Sequence, residues 1–138
     1  MTPADVYKFM AAQKLGVLGY LSAEGAPRSA LVGIGVTSNL EIVFDTVSSS
    51  RKYGCLIANP AATFVVGWAG ETTIQLEGHA FQPTNADLAR YQQVYFTSYP
   101  DGPKRLSWPG IAYFVVRPNW IRYSDYDQNP PVIEEFRF

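Results

Sequence analysis

The chain contains one cysteine, Cys55, and one histidine, His79. A disulfide within the chain is therefore impossible, and no Cys/His spacing for a zinc site exists. A single thiol fits a reducing compartment. A serine triad needs a positioned histidine. His79 falls mid-strand in the sequence pattern, where an ordinary packed or exposed strand residue is the simpler reading. Cys55 falls in a short predicted helix and reads as a small buried side chain. No P-loop and no Gly-x-Gly-x-x-Gly helix start is present, because Gly33 and Gly35 sit inside a strand pattern. Glu24, Asp45, Glu71 and Glu77 form no specific carboxylate pair for glycoside chemistry. Charged residues are scarce, at 17%, and the formal net charge is −1. No global basic field exists to attract nucleic acid. No apolar run approaches the roughly 18 residues of a membrane helix, and no basic-then-apolar leader opens the sequence. The expectation is a soluble, cytoplasmic protein with neither nucleic acid nor membrane as partner.

What the chain does have is apolar and aromatic material. Of 138 residues, 47% are hydrophobic and 14% aromatic, with nine tyrosines and three tryptophans. That suffices for a single domain with a real core. Thr2-Pro3-Ala4-Asp5 predicts a capped helix start with Val6, Phe9 and Met10 on one face. Strands are predicted over 15–21, 28–36 and 40–45, joined by short turns as an antiparallel meander. A short helix follows over 50–58, stopped by Asn59-Pro60. Further strands are predicted over 62–68 and 72–81. A second long helix starts at Thr84 or Asn85, with Leu88, Tyr91, Gln92 and Tyr95 on one stripe. The segment 100–109 reads as a loop carrying Lys104, Arg105 and Trp108. Strands at 111–117 and 120–123 close the pattern, and the segment from about residue 124 reads as a tail. The fold class expected is mainly β, a small antiparallel barrel with flanking helices.

One stretch organises the rest. Phe44 to Lys52 reads Phe-Asp-Thr-Val-Ser-Ser-Ser-Arg-Lys. A strand runs into hydroxyls, then two cations open a helix. Unpaired helix N–H groups, serine hydroxyls and an arginine fork together outline an anion trap. The plainer alternative is that Ser50 only caps the helix, with Arg51 and Lys52 as solvated charges. Cations in a first helical turn oppose the helix dipole, so they call for a compensating anion or another explanation. A chain this poor in catalytic motifs points to a bound cofactor as the source of any chemistry.

Five runs carry a resemblance. They are Pro27-Arg28-Ser29-Ala30, Glu41 to Thr46, Ser50-Arg51-Lys52, Asn59-Pro60, and Thr73-Ile74-Gln75-Leu76-Glu77-Gly78-His79-Ala80. In this order and spacing the chain resembles the pyridoxamine 5′-phosphate oxidase-like family of FMN-binding split barrels, over roughly residues 5 to 123. The resemblance implies a six-stranded antiparallel split barrel and a homodimer with one FMN per subunit at the interface. It implies that Arg28, Ser29 and Ala30 line the flavin site. Asp45 and Thr46 would approach the ring or ribityl part. Ser50, Arg51 and Lys52 would hold the phosphate, and Gln75 would reach the ring. Trp108 matches no motif firmly; its loop is expected to cover the flavin from the other subunit.

The departures narrow the activity. The vitamin B6 oxidases of the family have a substrate-contacting lysine near Gly33 and an Arg-x-His element near the C-terminus. Here Gly33 stands in the first place, and neither Arg122 nor Arg137 is followed by a histidine. Oxidation of pyridoxamine phosphate is therefore not expected. The reading is an FMN-dependent oxidoreductase of open substrate, working by hydride transfer at flavin N5, with no catalytic side chain assigned. The alternatives are the same fold using the deazaflavin F420, whose anionic tail Lys104 and Arg105 would serve, and a non-catalytic flavin- or haem-binding dimer.

Overall fold

The computed structural model describes residues 1–138. Helix α1 spans Pro3–Ala11, capped by Thr2, whose side chain and that of Asp5 satisfy each other's backbone N–H groups. Val6 and Met10 are its fully buried residues. Then come β1 (Leu15–Leu21), β2 (Pro27–Gly33), β3 (Gly35–Val36), β4 (Ile42–Val47), α2 (Arg51–Ala58), β5 (Ala61–Val66) and β6 (Thr72–Phe81). Helix α3 (Asn85–Ser98) leads through a 3₁₀ turn, Gly102–Ser107, to β7 (Ile111–Asp125) and β8 (Val132–Arg137).

The sheet runs β2-β1-β5-β6-β7-β4-β3, antiparallel throughout, with β8 paired to the far half of β7. Strands β2 and β3 are consecutive pieces of one segment, separated only by Ile34, yet they lie at opposite ends of this order. The two edges are thus the same stretch of chain, and the sheet must curl until they meet. Counting β2 and β3 as one interrupted strand gives the six-stranded barrel, with β8 as an addition. The Ile34 N–H donates to the Lys14 carbonyl at 3.0 Å, in the register of the β1–β2 ladder, so the chain quits β1 only after Ile34 and joins β4 from Gly35.

Alternation fills the barrel. In β5, Ala62, Phe64 and Val66 point inward and are nearly inaccessible, while Ala61, Thr63 and Val65 face out. Phe44, Phe64 and Phe114 meet at the centre, with Phe44 stacked on Phe114 at 5.7 Å between ring centroids. A second, smaller core lies outside the barrel. There α3 lays Tyr91 and Tyr95 over Val43, Tyr113 and Val115.

Three expectations need correction. Pro118 does not divide the last strand: β7 is continuous through it. The register shifts opposite, between Glu77 and Gly78, and a Cβ at Gly78 would collide with the Arg117 carbonyl. A bulge at a glycine is how a sheet absorbs a proline that donates no hydrogen bond. Leu40 does not begin a strand. It sits in the turn before β4 at φ 66°, held there by a side chain that is 1% exposed. The segment after residue 124 is not a loose tail, because Val132–Arg137 forms β8, fixed by Trp120 Nε1 donating to Glu135 Oε1 at 2.9 Å.

Candidate functional site

The end of β4 feeds directly into α2. Ser50 is the N-cap, its Oγ accepting from the Tyr53 N–H at 3.3 Å and lying 2.8 Å from Thr46 Oγ1. The capping alternative is therefore real, and it leaves the charges unexplained. No acid stands in the first turn of α2, and neither Arg51 nor Lys52 belongs to any of the four ion pairs of the chain. The positive end of the helix dipole and two cations face outward together, uncompensated.

A cavity of about 350 Å³ opens beside them. Asp45, Thr46, Ser50, Lys52 and Arg105 supply its polar wall. Leu31 and Trp108, 60% and 53% exposed, supply a large apolar rim. Its size lies at the lower end of the range for small-molecule sites. Cations and an exposed aromatic in one cavity suit an anionic ligand with a flat apolar part.

Asp45 has a structural duty within the chain. Its Oδ2 accepts from Arg105 Nε at 2.9 Å and its Oδ1 from the Tyr95 hydroxyl at 3.1 Å. Arg105 also holds Asp101 at 2.9 Å. Asp45 thus ties the 3₁₀ turn and α3 to the sheet, and so sets the position of Trp108. Sequence reasoning named Arg105 only as a loop cation; nothing in its spacing from Asp45 announces the pair. The Asp45 bond holds the Arg105 guanidinium charged to beyond its ordinary range, and the Arg105 bond lowers Asp101.

The remaining expected residues are dispersed. Arg28 lies at the other end of β2, in a separate cavity with Gly19, Tyr20 and Glu77, its Nη1 3.8 Å from Cys55 Sγ. Ser29 and Ala30 follow it on β2. Gln75 faces outward on β6, in a small cavity with Val65 and Trp120. Strands β1 and β5 stand between Arg28 and Gln75. Within one chain, then, Asp45, Thr46, Ser50, Lys52 and Trp108 come together, Arg51 flanks them, and Arg28 and Gln75 stay outside. Gly33 does not widen this cavity. A Cβ there would lie 2.6 Å from Tyr99 Cζ, so the ring of Tyr99 takes the space a longer side chain would need.

Four tyrosines are held protonated by their surroundings, three of them near Asp45. Burial, then the Asp45 charge, raises Tyr95 and Tyr113; burial raises Tyr99 and Tyr123. Each keeps its proton in the fold beyond the ordinary value of about 10. The resulting stability is complete below that pH and is lost as pH climbs through the raised values. In a near-ultraviolet alkaline titration these four phenols should ionise only as circular dichroism reports unfolding. Full ionisation of all nine tyrosines in a folded chain would contradict this.

A curled antiparallel sheet closed by one interrupted strand, with helices outside and a cationic helix start at its rim, defines a split-barrel protein. The family profile described as pyridoxamine 5′-phosphate oxidase matches residues 2–125. The chain belongs to the pyridoxamine 5′-phosphate oxidase family. Its fold is similar to that of a heme binding protein from Mycobacterium smegmatis (TM-score 0.83, 18% identity, 99% of this chain and 58% of that one). It is also similar to General Stress Protein 26 from Bacillus anthracis str. Sterne (TM-score 0.75, 20% identity, 99% and 98%). A third likeness is to a pyridoxamine 5′-phosphate oxidase-related, FMN binding protein from Nostoc punctiforme PCC 73102 (TM-score 0.67, 12% identity, 99% and 92%). This chain spans little more than half the length of the Mycobacterium protein and of a similar protein from Agrobacterium tumefaciens str. C58. No curated protein matches the sequence. No helix is long and apolar enough to cross a membrane.

Proposed function

We propose that the protein is an FMN-binding oxidoreductase that works as a homodimer. The observation that carries this is the uncompensated positive start of α2, which stands beside a cavity with an exposed aromatic rim. Lys52 and Arg51, with the hydroxyls of Thr46 and Ser50, would hold the phosphate. Leu31 and Trp108 would pack against the ring and keep water from it. The FMN-binding neighbour from Nostoc supports the ligand class. Bound FMN would supply hydride-transfer chemistry at N5, and the chain would orient and shield it.

The dimer has its own support. Along the outer face, Leu31 pairs with Val17, Val17 with Val65, and Val65 with Gln75. Leu31 and Val65 are 60% and 42% exposed, and no helix is packed over them. A second copy covering this row would explain its apolar character. It would also bring Gln75 and Arg28 into use, since they do not reach the Lys52 cavity of their own chain. The F420 alternative has less support, because Arg105 is already engaged by Asp45 and Asp101. Haem in place of flavin is the second reading, favoured by the likeness to the heme binding protein from Mycobacterium smegmatis.

Titration with FMN, F420 and haem, each followed by absorbance and fluorescence, tests the ligand, and light scattering tests the dimer. FMN should bind saturably and the protein should run at twice 15.3 kDa. A monomer that takes up none of the three would sink the proposal. A Soret band without flavin uptake would move it to haem.

A further inference from the structure

The largest cavity is not the one beside Lys52. It has a volume of about 530 Å³ between the start of β4, α3 and the middle of β7; Asn39, Glu41, His79, Arg90, Arg117 and Asn119 give it polar walls, and Tyr91, Pro118 and Phe138 complete them. Its floor is Glu41, 4% exposed. Three donors saturate that carboxylate: Thr37 Oγ1 at 3.2 Å, the Tyr91 hydroxyl at 2.8 Å and Arg117 Nε at 3.0 Å. Glu41 is thereby paired with Arg117 and held by three donors. Its work is to fix Arg117, whose guanidinium also lies over the Phe81 ring at 4.7 Å. Glu41 is the one anionic partner of Arg117, and it is met through Nε.

Arg90 is braced in the same way, 4.3 Å over the Tyr91 ring. Its only anionic partner is Asp87 at 3.5 Å, and both side chains are more than half exposed, so that pair competes weakly. His79 stands directly opposite Arg117 in the β6–β7 register. Two amides, Asn39 and Asn119, complete the wall. Two guanidinium forks held on aromatic rings lose little freedom when they close on an oxyanion. Arg117 gives its Nε–H to Glu41, and Arg90 has only its exposed pair with Asp87 and its contact with Tyr91.

We propose that this cavity is a second ligand site, distinct from the Lys52 cavity, that binds a small organic anion through a carboxylate or phosphate group held between Arg90 and Arg117. The oxyanion takes the terminal Arg117 nitrogens and the Arg90 fork, and the asparagine amides read the remainder of the ligand. Nothing in this depends on flavin binding.

The test is ¹⁵N-resolved NMR titration of the full chain carrying Arg51→Ala and Lys52→Ala, which removes the other cationic site. Inorganic phosphate and succinate are added separately at constant ionic strength, with chloride as the control. Saturable shifts should gather at Asn39, Asn119, His79 and Arg117 with at least one of the two anions, and which anion saturates assigns the ligand class. Arg90→Gln, an exposed change that leaves Glu41 paired, should weaken that binding about tenfold. Linear shifts, shifts scattered over all surface cations, or equal affinity in Arg90→Gln would overturn the site.

Discussion

Replacing Arg51 and Lys52 together by alanine should lower FMN affinity by about two to three orders of magnitude while leaving the thermal midpoint of the ligand-free protein unchanged or slightly raised. Each charge-assisted contact to a phosphate contributes on the order of 1.5–3 kcal/mol, and about 1.4 kcal/mol is tenfold in affinity. Neither side chain has an ion-pair partner to lose. Both stand in the first turn of α2, where positive charge opposes the dipole. Their removal therefore separates binding from folding. Calorimetric titration with FMN and a thermal melt of the same sample give the two numbers. Unchanged affinity would place the phosphate elsewhere. A large drop in melting temperature would make the two cations structural.

Asp45→Ala should do the opposite and act first on stability, by about 3 kcal/mol. The carboxylate receives two donors, Arg105 Nε and the Tyr95 hydroxyl, and is only 16% exposed. Breaking a buried pair by removing one partner costs about 3–5 kcal/mol, and the slight exposure here argues for the lower end. The Tyr95 hydroxyl would join that of Tyr113, which is already buried without a partner. Asp45→Asn keeps an acceptor and should lose about half as much. Urea unfolding measures both, and the slope with denaturant should stay constant while the midpoint falls. The alanine variant should also free Trp108, seen as a red shift and greater quenching of its fluorescence. An intact midpoint in Asp45→Ala would mean that the aspartate is reserved for a ligand after all.

The contrast between these two variants shows where sequence reading reached. Leu15–Leu21 is legible to the residue as an apolar run bounded by polar residues, and Thr72–Phe81 because its apolar alternation is clean between Gly70 and Pro83. Ser50 as the start of α2 was legible from local chemistry alone. Asp45 was not, because its partners Tyr95 and Arg105 sit 50 and 60 positions away and no local pattern encodes such a distance. Glu41 failed to stand out for the same reason, with Arg117 lying 76 positions on. Strand β8 is hard to see in sequence because Pro130 and Pro131 stand directly before the alternation of Val132, Glu134 and Phe136. Pro118 reads as a break in sequence because the compensating glycine, Gly78, lies on another strand. Long-range pairing decided each of these outcomes.

The interrupted strand of β2 and β3 also has a consequence for how the chain is made. β1 and β2 pair as a local hairpin, so that ladder can form as soon as both have left the ribosome. The ring cannot close then. Ile42 pairs with Val116, more than half the chain later, and β4 has no partner in the barrel other than β3 until that stretch arrives. Until β7 is synthesised, the nascent chain must carry open, apolar strand edges, the state most prone to stick to its neighbours. Truncation before residue 111 should accordingly yield an aggregating fragment, and β7 acts as the timer that ends the vulnerable period of synthesis.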